Sequence, residues 1–250
     1  MRRAKGARNA FTVTEGRPRR LKESLSRSER AGTTAASLPF APVSPVPPVF
    51  AIVLGAGRSS RFGSDKLLAP LHGRPVLGHV LDTLASRAGS GLLRALFLVV
   101  RDPDGAEAQL GREAGAVIVR SPRAGEGLAM SLRAGLERVA STAPATGAAA
   151  LVVLGDQPAI RRDVIDEVVR RWRITGAEAV RPRYAEQPEE PGHPVLLDQR
   201  LWPQVALLEG DAGPGRFLLG RAVELVDVPG RNPDIDTPAD LAGFSRLENT

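Results

Sequence analysis

The sequence predicts an α/β protein whose doubly wound, mostly parallel sheet forms a single domain over residues 49–250, behind a disordered tail over residues 1–48. Two observations in the body carry this. Apolar, β-branched runs recur at 49–54, 95–100, 116–119, 149–154, 177–180, 194–197 and 223–228. Amphipathic stretches lie between them, at 76–85, 128–140 and 162–175. Strands alternating with helices favour a parallel sheet covered on both faces, and strands buried on both faces read as unbroken apolar runs. In the third stretch Val164, Ile165, Val168, Val169 and Trp172 fall at helical spacing and share one face. In such folds ligands bind beyond the carboxyl ends of the strands.

The tail is read from charge and composition. Residues 1–48 carry ten Lys or Arg against three Glu, so the formal +6 of the whole chain originates there and the remainder is close to neutral. A basic tail of that kind is no argument for nucleic-acid binding by the folded body. The tail lacks apolar periodicity, ends in a proline-rich stretch and has no apolar segment of secretory type. It is expected to be either a functional tail or the product of a start assigned too far upstream. Cysteine is absent and there are three histidines, which excludes disulfides, thiolate metal sites and cysteine nucleophiles. No run approaches the roughly 18 apolar residues of a membrane span. A cytoplasmic protein without membrane or nucleic-acid partners is the resulting expectation.

The first apolar run ends at Leu54 and opens into Gly55-Ala56-Gly57-Arg58-Ser59-Ser60-Arg61-Phe62-Gly63-Ser64-Asp65-Lys66. Glycines leave room for an anion at the backbone, and Arg58, Arg61 and Lys66 add positive charge. That mouth suits a polyphosphate; a plain strand–turn–helix junction with solvated arginines is the alternative. It is neither of two common phosphate loops. The dinucleotide fingerprint would need glycine at Ser60, and the P-loop would need lysine at Ser64. A second motif, Leu154-Gly155-Asp156-Gln157-Pro158, places a carboxylate just after a buried run. Asp156 there either holds a hard cation such as Mg²⁺ or caps the next helix. A third, Asn232-Pro233-Asp234-Ile235-Asp236-Thr237-Pro238-Ala239-Asp240, reads as a helix start with Thr237 as cap, and adds Asp236 and Asp234 as candidate carboxylates.

The glycine loop resembles the signature L-x-x-G-x-S-x-R-[MF]-G-x-x-K-L-L of nucleotidyltransferases that activate small molecules with a nucleoside triphosphate. Leu54, Gly57, Ser59, Arg61, Phe62, Gly63, Lys66, Leu67 and Leu68 match it. Within that superfamily the chain is most similar, over about 49–247, to the molybdenum cofactor cytidylyltransferases. The resemblance implies a Rossmann-like nucleotide-diphospho-sugar transferase fold and CMP transfer from CTP to the phosphate of molybdenum-molybdopterin, with release of pyrophosphate. It also implies a client molybdoenzyme as a possible partner. By the same resemblance Leu54, Gly55, Ala56, Gly57, Arg58, Ser59, Arg61 and Lys66 bind nucleotide. Lys66, Arg61 and Asp156 serve the chemistry. Asp156 holds Mg²⁺ with Asp236 as first choice of partner and Asp234 as second.

Three further segments carry the resemblance. Gly125-Glu126-Gly127-Leu128-Ala129-Met130-Ser131-Leu132 matches a turn beside the nucleotide, giving Gly127 and Ser131, or is a plain helix start; Ser121 stands where the family has asparagine. Gly192-His193-Pro194 and Gly210-Asp211-Ala212-Gly213-Pro214-Gly215-Arg216 match segments on the acceptor side, giving His193 and Arg216, the second one residue longer than the family pattern. Ala56 and Gln157, where guanylyl relatives usually carry glycine and methionine, favour CTP. The alternatives are guanylyl transfer from GTP, another sugar- or polyol-phosphate nucleotidyltransferase, and a non-catalytic protein that binds the finished cofactor.

Overall fold

The computed structural model describes residues 46–57, 62 and 65–247. The tail as far as position 45 lies outside the described residues, as do Arg58, Ser59, Ser60, Arg61, Gly63 and Ser64 of the glycine loop. In chain order the elements are β1 (Val49–Leu54), a hairpin of β2 (Pro70–Leu71) and β3 (Arg74–Pro75), α1 (Val76–Gly89), β4 (Ala95–Val100), α2 (Ala106–Glu113) and β5 (Val117–Arg120). They continue with α3 (Leu128–Ala140), β6 (Ala149–Leu154), α4 (Arg162–Thr175), β7 (Ala179–Tyr184) and β8 (Val195–Asp198). The last are two single-turn helices, α5 (Trp202–Val205) and α6 (Pro214–Phe217), then β9 (Glu224–Val228) and α7 (Pro238–Leu247).

Seven strands form one sheet in the order β5-β4-β1-β6-β8-β7-β9. All neighbours are parallel except β8, which runs antiparallel to both β6 and β7. β1 lies between β4 and β6, and its residues are buried throughout. Alternation divides them: Val49, Ala51 and Val53 pack with α1 and α4, while Phe50, Ile52 and Leu54 pack with α3. The chain winds away from β1 in both directions, to β4 and later to β6. The crevice that opens at such a reversal lies over the carboxyl end of β1.

Two elements depart from the sequence reading, each for a packing reason. The run expected to end at 180 continues through Arg181-Pro182-Arg183-Tyr184, because β9 pairs with it along that whole length. β8 pairs with only Ala179 and Val180, so Pro182 lies beyond the part of β7 flanked on both sides. α2, which no apolar stripe announced, is held by close approach: a Cβ on Gly111 would sit 2.6 Å from Leu98 Cδ2 and 2.8 Å from Ile118 Cδ1. α4 is as read, burying the five expected apolar residues, with Gly176 at its end in the left-handed region and its N–H bonded to the Trp172 carbonyl at 2.8 Å.

Candidate active site

The glycine loop leaves β1 under tight backbone constraint. The Gly55 N–H donates to the Val99 carbonyl at 2.9 Å, and a Cβ at Gly55 would meet Leu98 Cδ1 and Val99 O, both at 3.2 Å. This corrects the expectation that both glycines open the backbone to an anion: the Gly55 N–H extends the sheet ladder and is taken by Val99. Its smallness serves packing between strands. No comparable bond engages the Ala56 or Gly57 amide among the described residues, and Arg101, at the end of β4, steadies the Ala56 carbonyl at 3.2 Å.

Beyond β6 the acidic and basic candidates meet. Lys66 Nζ lies 2.6 Å from Asp156 Oδ2 and 2.8 Å from Asp236 Oδ1, although 170 positions separate Lys66 from Asp236. Burial alone would lower the Lys66 pKa; the charge and hydrogen bond of Asp156, then those of Asp236, outweigh it and hold the ammonium above its ordinary value. Asp236 is delivered by the segment that starts at Asn232. The Ile235 N–H donates to the Asp156 carbonyl at 3.0 Å, and the Ile235 side chain is fully buried beside Leu71 and Val76. Asp240 then accepts from the N–H groups of Asp236 and Thr237, while Thr237 Oγ1 accepts from the Asp240 N–H at 3.2 Å. This is the reciprocal cap read from the sequence, and it fixes the backbone that carries Asp236.

Asp234 faces a different partner. Its Oδ1 accepts from Gln157 Nε2 at 2.6 Å, and Gln157 Oε1 accepts from Asn232 Nδ2 at 3.2 Å. Asn232 also reaches the His193 carbonyl, to which Tyr184 Oη donates at 2.8 Å. The Asp234 carboxyl is pushed up to about 6, first by loss of solvation and next by the Asp156 charge, although the residue keeps an exposed face. His193 Nε2 is buried without a hydrogen-bond partner, and burial, then the Arg181 charge, lowers its imidazole to about 4. The histidine is therefore neutral near pH 7. Gln157, expected to help choose the base, is committed to this polar chain. Asn232, Arg101 and Tyr184 were not singled out from sequence, since their part depends on contacts between distant segments.

A separate cavity of about 230 Å³ lies on the α3 side of β1. Leu54, Ala56 and Gly57 form one wall, and Gly127, Leu128 and the buried Ser131 form the other. Asp211 joins them from a distant loop. The Ala129 N–H donates to the Gly210 carbonyl at 3.0 Å, and Gly127, with φ at 123°, comes so close that a Cβ would sit 2.2 Å from Gly210 O. The start of the 210–216 loop thus lies against the expected nucleotide turn, where the resemblance had put it on the acceptor side. Arg216, at the other end, is exposed on α6, and its side chain makes no hydrogen bond or ion pair among the described residues. Ser121 is buried and is not part of the cavity wall.

The donor set fits a hard divalent cation. Asp156 Oδ1 is buried without a partner, while the other oxygen is held by Lys66. Among the described residues no group of three or more His, Cys, Asp or Glu is arranged to hold a metal alone. One or two carboxylates completed by substrate phosphates is the usual arrangement for Mg²⁺ in nucleotide sites. No helix among the described residues is long and apolar enough to cross a membrane.

The chain is 30% identical over 148 residues to a probable molybdenum cofactor guanylyltransferase of Pyrococcus horikoshii, covering 58% of this chain and 67% of that one. It is 32% identical over 140 residues to a 2-C-methyl-D-erythritol 4-phosphate cytidylyltransferase of Rhodopirellula baltica, covering 52% and 56%. Among solved structures, that of Rv0371c from Mycobacterium tuberculosis H37Rv in complex with manganese is similar with a TM-score of 0.61 at 27% identity, covering 80% of this chain and 99% of that one. The family described as the MobA-like NTP transferase domain matches residues 51–226, and with that match over most of its length the chain belongs to this family of nucleotidyltransferases.

Proposed function

We propose that the protein is a Mg²⁺-dependent cytidylyltransferase that moves CMP from CTP to the terminal phosphate of molybdenum-molybdopterin and releases pyrophosphate. The observation that carries the proposal is the meeting of Lys66 with Asp156 and Asp236 at the carboxyl edge of the sheet. The base would occupy the cavity between Ala56 and Ser131, with the triphosphate directed toward Lys66. An acceptor phosphate oxygen, already ionised near neutral pH, attacks the α-phosphorus as the bond from that phosphorus to the β-phosphate oxygen breaks. No proton need be removed and no covalent enzyme intermediate is required. Positioning and charge stabilisation supply the catalysis.

Lys66 would stabilise charge on the departing pyrophosphate, and Arg61 is assigned to the same mouth by resemblance. Asp156, through its open Oδ1, and Asp236 would hold Mg²⁺, which neutralises phosphate charge when bound. Asp234, tied to Gln157, is the less suited second carboxylate. His193 and Arg216 remain acceptor-side candidates. His193, being neutral, would contribute hydrogen bonding instead of charge.

Two observations bear on the base. Ala56 lines the cavity, and a methyl group at that place, where a glycine would leave more room for a purine, is the reason for reading the base as cytosine. The Pyrococcus relative, named as a guanylyltransferase, favours GTP as the second reading. Pyrophosphate release measured with each nucleoside triphosphate, Mg²⁺ and molybdenum-molybdopterin separates them. Release with CTP in large excess over GTP is the expected result. Release with GTP alone would replace cytidylyl by guanylyl transfer, and release with neither would refute the proposed reaction.

A further inference from the structure

Two polar residues line the cavity beside Ala56, the buried Ser131 and the exposed Asp211; the others among the described lining residues are apolar or glycine. Asp211 comes from the opposite half of the chain. Its place is set by the bond from the Ala129 N–H to Gly210 O and by the absence of a side chain at Gly127. Gly213 supports the same contact, because a Cβ there would sit 2.6 Å from Leu128 Cδ2. Two glycines thus allow the loop to press against the start of α3. Asp211 is exposed, and its carboxylate forms no hydrogen bond or ion pair among the described residues.

We propose that Asp211 selects the base, its carboxylate accepting a hydrogen bond from the exocyclic amine of the nucleotide bound in this cavity. The inference rests on the nucleotide reading given above. An ionised carboxylate only accepts hydrogen bonds. Facing the triphosphate it would repel; facing an apolar slot that holds a flat ring, it is matched by the amine of cytosine or guanine. Uracil in the same place turns a carbonyl oxygen toward the carboxylate, so two acceptors would meet with no proton between them. Hydrogen bonds to charged groups are stronger than neutral ones, which makes the expected loss on removing the amine about tenfold to a hundredfold in affinity.

The test uses the full-length protein with Mg²⁺ and calorimetric binding of two nucleotide pairs that differ at the amine, CTP with UTP and GTP with ITP. Wild-type protein should bind the amine-bearing member of its preferred pair at least tenfold more tightly. In Asp211→Ala the two members should bind about equally. In Asp211→Asn, whose amide can donate, the preference within the CTP–UTP pair should shift toward UTP, which carries a carbonyl in place of the amine. An amine preference that survives unchanged in a folded Asp211→Ala protein overturns the inference and leaves the nucleotide reading intact. A uniform loss across all four nucleotides also overturns it, because that pattern belongs to a ribose or structural contact. Failure of the wild type to bind any of the four refutes the nucleotide reading itself, and the inference with it.

Discussion

Asp156 and Lys66 carry the chemical centre at the scale of single residues. One oxygen of Asp156 is neutralised by Lys66, and the other is buried and open. Asp156→Asn keeps the shape but removes the charge that a cation would need. Lys66 keeps Asp236 as a partner, so the fold should survive. Turnover is expected to fall by about a hundredfold to a thousandfold or more, on the scale of losing one preorganised electrostatic group. Steady-state rates across a Mg²⁺ titration, alongside thermal unfolding, check this. A near-normal rate at limiting Mg²⁺ would reduce Asp156 to a turn residue. Both residues were legible in sequence because each follows a buried strand within a recognisable motif. Their meeting with Asp236 was not, because it depends on the Ile235 anchor that brings Asp236 across from the far end of the chain.

At the scale of elements, the start of α3 and the 210–213 turn form one unit. Gly127 has a positive φ and no room for a Cβ, so Gly127→Ala should push the turn away and break the Ala129–Gly210 bond. The expected cost is about 1–3 kcal/mol of stability, the usual range for a strained or clashing substitution. Nucleotide affinity should fall with it, because Asp211 leaves the cavity wall. Urea unfolding and nucleotide titration of the same variant provide the check. Unchanged values for both would mean that the turn moves freely without α3. Sequence pattern placed Gly127 at a helix start and the 210–216 loop elsewhere, since local spacing carries no record of which loop packs on which helix.

At the scale of the whole molecule, two groups whose pKa values move in opposite directions shape how stability changes between pH 4 and pH 7. His193 titrates near 4 when folded, so the unfolded chain, near 6.5, binds more protons between those values. Its contribution is present above about pH 6.5 and is lost as pH falls toward 4. Asp234, raised to about 6, has the reverse slope: it favours the folded state below its ordinary value and loses that advantage as pH rises toward 6. The two partly cancel in the wild-type protein. His193→Gln removes one of them, so the variant should gain about 2 kcal/mol relative to wild type between pH 7 and pH 5. Paired urea titrations at the two pH values measure that difference. A constant gap would mean that the imidazole titrates alike in the folded and unfolded states.

The amino-acid sequence by itself determined the alternation of buried strands and amphipathic helices, the glycine loop after β1, the carboxylate after β6 and the Thr237–Asp240 cap. Each is a local pattern of residue types, and local patterns survive in one dimension. The tertiary structure decided the reversed direction of β8, the consumption of the Gly55 amide by Val99, the binding of Gln157 to Asp234 and the arrival of Asp211 at the cavity. An antiparallel and a parallel buried strand have the same apolar composition. A backbone amide's partner, like a loop's resting place, depends on close approaches between segments that the sequence keeps far apart.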